Sequence, residues 1–469
     1  MSIIAPLSGL DACVVRGQQM ADAAARARAR ARTRRFDTIA VHGLYDHLAA
    51  AANQGSIIEP IYSSTAQHFA DSDELEAALG YLVPAWGYTR IANPTSHYLE
   101  ETLALLETYG TDIEASCVVT GSGMAAVHLA TNALLARDPG RGAGSGAAGV
   151  GPVNFVASAK CYGGTFMLFE RYAAERGIEV RWISDPLDTD AWAAAIDGDT
   201  RFLYAEVPSN PALALADLPA LADIAHACGI PLLVDSTVAT PALLRPLALG
   251  ADVVIQSLSK AIGASGLAIA GAVIARRDIP LRVGTDAMRA DFATDLKLLP
   301  ARDLGPALAP SSALALLSDL RTVRTRMDAW SRSAMSVASF LDAHPAVSSV
   351  SYPGLREHPG HALAARDFRL ADGDADGHET ARYGTLMGFV LRGGLPSARR
   401  AFDRLELVFR ATDLGRVKSV AVIPSISTHQ QQGDAGRATA QIPPGLIRLS
   451  IGGEHPADII DDLAQALAG

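Results

Sequence analysis

Lys260 closes the phrase Ile255-Gln256-Ser257-Leu258-Ser259-Lys260, and 25 residues upstream Asp235 ends the apolar run Leu232-Leu233-Val234 and leads into Ser236-Thr237. A lysine amine condenses with an aldehyde. An aspartate at the end of a buried strand can keep a ring nitrogen protonated, and clustered hydroxyls can hold a phosphate ester. Pyridoxal phosphate chemistry requires these three tasks together. Only four of the forty basic residues are lysines, and Lys160, Lys297 and Lys418 have no aspartate-bearing strand upstream. Lys260 is therefore the candidate for bonding the cofactor, with Asp235 as the partner of its ring nitrogen.

Residues this far apart meet only if strands end side by side. Residues 111–305 alternate short apolar runs with helical stretches, the pattern of a parallel sheet flanked by helices. The predicted strands are 115–120, 154–157, 179–183, 201–206, 231–235, 251–256 and 270–275. Chemistry in such sheets gathers at the carboxyl ends of the strands, where Asp235 and Ser257 both fall. Residues 1–35 form an extension, flexible or a solvated helix, and 36–110 an arm of loop and helix containing the aromatic, turn-rich stretch Tyr81 to Pro94. The glycine-rich Pro139 to Pro152 reads as a loop insertion without a nucleotide-binding frame. Residues 306–469 open on a long helical pattern, Ser311 to His344, and form a smaller α+β domain. The stretch 371–380 reads as an acidic surface loop whose spacing departs from a calcium-binding loop.

At 469 residues the chain is long enough for two or three units, and 49% hydrophobic with 19% charged residues describes a globular protein. A net charge of −10 argues against nucleic acid as a partner. Cys13, Cys117, Cys161 and Cys228 are widely spaced, which predicts no disulfide framework and no metal site, with a reducing cytoplasm as the expected location. No apolar run approaches the roughly 18 to 20 residues of a membrane span, so no membrane partner is expected. No apolar segment follows the twin Arg34-Arg35, as an export signal would need.

Seven phrases occur in order: Tyr88-Thr89-Arg90-Ile91-Ala92-Asn93-Pro94-Thr95, Gly121-Ser122-Gly123-Met124-Ala125-Ala126, Cys161-Tyr162-Gly163-Gly164-Thr165, Glu206-Val207-Pro208-Ser209-Asn210-Pro211, Val234-Asp235-Ser236-Thr237, Ser257-Leu258-Ser259-Lys260 and Ile447-Arg448-Leu449-Ser450. Over roughly residues 38–467 the chain resembles the Cys/Met metabolism (trans-sulfuration) family of pyridoxal phosphate enzymes. The resemblance implies a fold-type I, aspartate aminotransferase-like α/β fold, a homotetramer built from catalytic dimers, and a small-molecule amino-acid substrate. It places the backbone N–H groups of Gly123 and Met124 and the hydroxyls of Ser257 and Ser259 on the cofactor phosphate. Tyr88 and Arg90 would reach that phosphate from the neighbouring subunit. Tyr162 would stack on the ring and move protons near the leaving group, and Asn210 would lie beside the phenolic oxygen. Thr237 would brace Asp235 or the ring, and Arg448 would clamp the substrate carboxylate.

Three departures stand out. Asp413 occupies a position where the family carries serine or asparagine near the substrate carboxylate. Unless it meets a cation, such as Arg416, it would repel that carboxylate; alternatively it selects a substrate with a cationic distal group. The histidine expected before Pro424 is Ile423, and Ala261-Ile262-Gly263-Ala264 replaces a ring- and imidazole-bearing phrase after Lys260. The reading is γ-replacement on an O-acylhomoserine-like amino acid, of sulfhydrylase or cystathionine γ-synthase type. The alternative is γ-elimination from methionine, cystathionine or a related amino acid; an aminotransferase or a non-enzymatic cofactor-binding protein ranks below both.

Overall fold

The computed structural model describes residues 9–135, 153–374 and 376–468, so the predicted Pro139 to Pro152 insertion lies outside the described residues. All seven predicted strands form: β1 Ala115–Thr120, β2 Asn154–Ser158, β3 Glu179–Ile183, β4 Thr200–Glu206, β5 Leu232–Asp235, β6 Val253–Gln256 and β7 Gly271–Arg276. They make one sheet in the order β1-β7-β6-β5-β4-β2-β3. The pairs β2–β3, β2–β4, β4–β5 and β5–β6 are parallel, whereas β7 runs antiparallel to both β1 and β6. With seven strands and flanking helices, this is the mostly parallel fold-type I architecture expected from the sequence.

The central strands read as unbroken apolar runs because both of their faces are covered. Leu232 and Val234 of β5 enter one hydrophobic cluster, with Leu203 and Ala205 of β4. Leu233 enters the opposite cluster, with Phe202, Tyr204, Val253 and Ile255. Covered on both sides, these strands can present polar side chains only at their ends. There stand Ser158, Glu206, Asp235 and Gln256, the last residues of β2, β4, β5 and β6.

A second sheet of β8 Val347–Ser351, β9 Leu386–Leu391, β10 Phe409–Arg410, β11 Val420–Val422 and β12 Leu446–Ser450 has the order β10-β11-β12-β9-β8. Along β12 the period of two sends Ile447 and Leu449 into the core formed with helices Val323–Ala343 and Pro456–Leu467. Arg448 and Ser450 take the other face, toward the ends of the first sheet.

The predicted Ser311-to-His344 helix is two helices, Pro310–Leu320 and Val323–Ala343. Thr322 leaves helical geometry at φ −117° and ψ 13°, and Arg321 pairs with the buried Glu59. Arg326 donates to the carbonyls of Asp319, Ala261 and Ile262, so the break fastens the helices to the segment after Lys260. At the N-terminus, Gly9–Arg32 is a single helix held to the body by Arg28, which bonds both carboxylate oxygens of Glu101 at 2.5 and 2.6 Å. No helix among the described residues is long and apolar enough to cross a membrane.

Leu233 is fully buried at the centre of the sheet. Leu233→Ala should lower the unfolding free energy by about 2–5 kcal/mol, as read from the denaturation midpoint at unchanged slope.

Candidate functional site

A cavity of about 420 Å³ opens at the carboxyl ends of β2, β4, β5 and β6, and the second sheet closes its far side. Its lining includes Gly123, Met124, Tyr162, Asn210, Asp235, Thr237, Ser257, Ser259, Lys260, Asp413 and Arg448. Eleven of the thirteen site residues expected from the sequence therefore share one cavity. Tyr88 and Arg90 do not line it. Tyr88 borders a separate hollow of about 590 Å³ beneath helix Gly9–Arg32, and the Arg90 guanidinium lies 5.5 Å from the Tyr88 ring centre while donating to the Arg302 carbonyl.

At one end of the cavity, helix Gly123–Leu134 begins, with the Ser122 side chain capping Ala125 N–H at 3.1 Å. A Cβ on Gly123 would stand 2.6 Å from Ser257 Cβ, so only glycine lets the helix N-terminus approach that serine. The result is a concave, hydrogen-bond-donating pole suited to a phosphate. Ser259 is differently engaged from expectation, since its hydroxyl donates to the Ala270 carbonyl at 3.1 Å and accepts from Ala270 N–H at 2.9 Å.

Asp235 lies at the opposite end, buried, with Oδ1 accepting from Thr237 N–H at 3.0 Å and Thr237 Oγ1 at 2.6 Å. Burial pushes its carboxyl up from the ordinary range, opposed by those two hydrogen bonds. Beside it Glu206 is pushed well up by burial and then by the Asp235 charge. A buried carboxylate pair of this kind calls for a cation, which a protonated pyridine nitrogen would provide. Together with the glycine-lined pole, this makes the cavity a fit for pyridoxal phosphate.

Arg448 is 1% exposed. Its Nη1 donates to Asn210 Oδ1 at 2.9 Å and its Nη2 to the Asp413 carbonyl at 2.6 Å, while its buried Nε has no partner among the described residues. Burial draws its pKa down to about 10, which leaves it charged at neutral pH with a donor available to an anion. Because Asn210 Oδ1 faces the guanidinium, the amide nitrogen is the group left to donate elsewhere.

The departure at Asp413 has a local resolution. One carboxylate oxygen takes Lys260 Nζ at 2.8 Å and the other takes Arg416 Nε at 2.5 Å. Burial opposes its ionised form, but the Lys260 hydrogen bond and charge, followed by Arg416, hold it below the usual carboxylate range. Sequence reasoning left out Glu206 and His429. Glu206 ends β4 as Asp235 ends β5, and that shared position was the available signal. His429, fully buried and edge-on to Tyr162 at 6.4 Å, is drawn down to about 4 by burial and then by Arg448, so it is neutral. Away from the cavity, Asp374, Asp376 and His378 place ligand atoms within 4.8 Å of one another on the predicted acidic loop, where Asp374 is occupied accepting from the N–H groups of Asp376 and His378.

The model of the Cys/Met metabolism PLP-dependent enzyme family matches residues 37–468. The O-acetyl-L-homoserine sulfhydrylase of Leptospira meyeri is 31% identical over 457 residues, covering 92% of this chain and 96% of that protein. The L-methionine gamma-lyase of Pseudomonas deceptionensis is 33% identical over 433 residues, with 92% and 97% covered. A Campylobacter jejuni crystal structure, described as an O-acetylhomoserine (thiol)-lyase with N'-pyridoxyl-lysine-5'-monophosphate, is 32% identical with a TM-score of 0.80, covering 93% of this chain and 100% of that one.

The Lys260–Asp413 pair carries a pH signature. A carboxylate held below its ordinary value stabilises the fold above that value, and the contribution is lost as pH falls through the folded-state value. In cofactor-free protein, Asp413→Asn should cost about 1 kcal/mol or less at neutral pH, since the pair is part-exposed. The difference from wild type should narrow below pH 3.8, the ordinary carboxyl value, in urea titrations across that range.

Proposed function

The chain belongs to the Cys/Met metabolism family of PLP-dependent enzymes, and on that premise we propose that it catalyses γ-replacement on an O-acylhomoserine-like amino acid, in the manner of a sulfhydrylase or cystathionine γ-synthase. The observation that carries the reading is the single cavity holding Lys260, Asp235 and the Gly123–Ser257 pole together with the unpartnered Nε of Arg448. Bound pyridoxal phosphate supplies an electron sink for the charge left when a proton leaves the substrate carbon.

Each side chain then has a task. Asp235 keeps the ring nitrogen protonated, and Thr237 holds Asp235 in place. The N–H groups of Gly123 and Met124 and the Ser257 hydroxyl hold the phosphate. Arg448 clamps the substrate carboxylate, and Asn210 offers its amide nitrogen to the phenolic oxygen. Lys260 Nζ, once free, takes the proton from the α-carbon, and loss of a β-carbon proton then supplies the electron pair that expels the γ-substituent. The Tyr162 hydroxyl, on the exposed side of the cavity, protonates the departing γ-substituent.

Sulfhydrylases among the similar proteins support replacement, as does the short spacing from Ser419 to Thr428-His429-Gln430-Gln431, which resembles that of sulfhydrylases. The L-methionine gamma-lyase at 33% identity favours the second reading, γ-elimination to a 2-oxo acid and ammonia. Incubation with a panel of γ-substituted amino acids, with and without sulfide, separates them: a sulfide-dependent thiol product identifies replacement, and 2-oxo acid without sulfide identifies elimination.

Tyr88 and Arg90 complete the phosphate pole of a neighbouring subunit in this reading, within a homotetramer of catalytic dimers working in the cytoplasm. Their placement outside their own chain's cavity supports it. So does the exposure of Leu267 (81%) and Ile269 (68%), the latter on the cavity lining, which is apolar surface suited to a second copy.

Lys260→Ala should abolish borohydride-fixable cofactor and all γ-chemistry while the far-ultraviolet circular dichroism is kept; full turnover by the variant would refute its role. Co-assembly of Arg90→Ala with Lys260→Ala chains should restore activity, because a mixed dimer holds one intact site. Verified mixed dimers without activity would count against a shared site.

A further inference from the structure

Glu206 is 6% exposed and borders the cavity, yet no step above uses it. It stands directly across from Asp235 in the β4–β5 register. Its Oε2 accepts from Tyr162 N–H at 2.6 Å and its Oε1 from Asn210 N–H at 2.7 Å. The two donors lie on different connections. Tyr162 precedes helix Gly163–Arg176, after β2, and Asn210 lies beyond the end of β4. Asn210 then passes the constraint across the domain junction by accepting from Arg448 at 2.9 Å. On the Tyr162 side the fit is close: a Cβ on Gly163 would come within 2.4 Å of the Thr428 carbonyl oxygen, so the segment has little room to shift.

We propose that Glu206 is a positioning residue whose carboxylate clamps the main chain at Tyr162 and Asn210, fixing the aromatic wall over the cofactor and, through Asn210, the Arg448 donor that receives the substrate carboxylate. The proposal rests on the pyridoxal phosphate reading of the cavity. Two converging N–H donors need two acceptor atoms, and a carboxylate is the side chain that supplies them within one group. An amide in its place keeps one acceptor and turns an N–H against the other donor; an apolar residue leaves both donors buried and unpaired. Burial at this position disfavours the ionised form, as does Asp235, while the two N–H groups favour it. A ring cation held against Asp235 would relieve the repulsion between the two carboxylates.

Glu206→Gln, made in the holoenzyme, separates positioning from simple support of the fold. Glycine is the probe, since it carries the amine and carboxylate that Arg448 would read but has no γ-substituent to lose. Its affinity, followed by the absorbance change of the bound cofactor, should fall roughly tenfold or more, the scale of one lost charge-assisted hydrogen bond. The induced circular dichroism of the cofactor should change as Tyr162 shifts, although borohydride still fixes the cofactor to Lys260. Glycine affinity within twofold of wild type and an unchanged dichroic band would overturn the clamp. Should Glu206→Gln fail to fold, Asn210→Ser keeps its own N–H on Glu206 but withdraws the acceptor from Arg448. Weakened glycine binding there supports the relay, and unaltered binding rejects it. Failure of the wild-type chain to fix pyridoxal phosphate on Lys260 would instead dispose of the cofactor reading, and of this proposal with it.

Discussion

The Thr237 hydroxyl donates to Asp235 at 2.6 Å and accepts from Ser257 N–H at 2.8 Å. One short side chain thereby ties the end of β5 to the residue just beyond β6. The acidic end of the cavity and its phosphate-holding pole thus keep a fixed separation. The sheet makes the tie possible: β5 and β6 run parallel with Asp235 opposite Ile255, so both chains turn out of the sheet at the same level. Gly123 completes the pole by letting a helix N-terminus settle against the same serine.

Charge balance governs the rest of the site. Asp235 and Glu206 are buried side by side and repel one another, so the cavity is arranged for a cation at that end. Arg448 is a buried cation whose Nε has no partner among the described residues, arranged for an anion. An amino acid bound through a protonated ring cofactor supplies both complements. Asp413 would upset this balance by adding a negative charge near a carboxylate site; in the cofactor-free chain Lys260 takes one oxygen and Arg416 the other, and Arg416 is the cation that stays when Lys260 serves the cofactor. The presence of Arg416 three residues after Asp413 shows the substitution to be accommodated within its own turn.

The two sheets are joined by the same residues that border the cavity. Arg448 and Asp413 come from the smaller domain, Asn210 and Lys260 from the larger, and their hydrogen bonds cross the junction. Arg326 adds a link by capping the carbonyls of Ala261 and Ile262 from a helix of the second domain. The phosphate-binding groups of this chain, Gly123, Met124 and Ser257, belong instead to the first sheet and its helices.

The sequence alone determined the sheet and its reactive edge. Short apolar runs such as Leu232-Leu233-Val234, bounded by turn residues and alternating with helical stretches, suit strands covered on both faces, and Asp235 at the end of such a run comes to the strand's carboxyl end. The same logic, applied to β4, would have found Glu206. Helix continuity was less legible: Ser311 to His344 carries one helical pattern, yet the ion pair of Arg321 with Glu59 and the turn at Thr322 divide it. What the tertiary structure decided were contacts between residues far apart in the chain. Lys260 meets Asp413 across 153 positions, and Arg448 meets Asn210 across 238. No local pattern encodes either contact, because each depends on how the second sheet and its loops pack against the ends of the first. The contacts that Tyr88 and Arg90 make within their own chain likewise depend on how the arm packs.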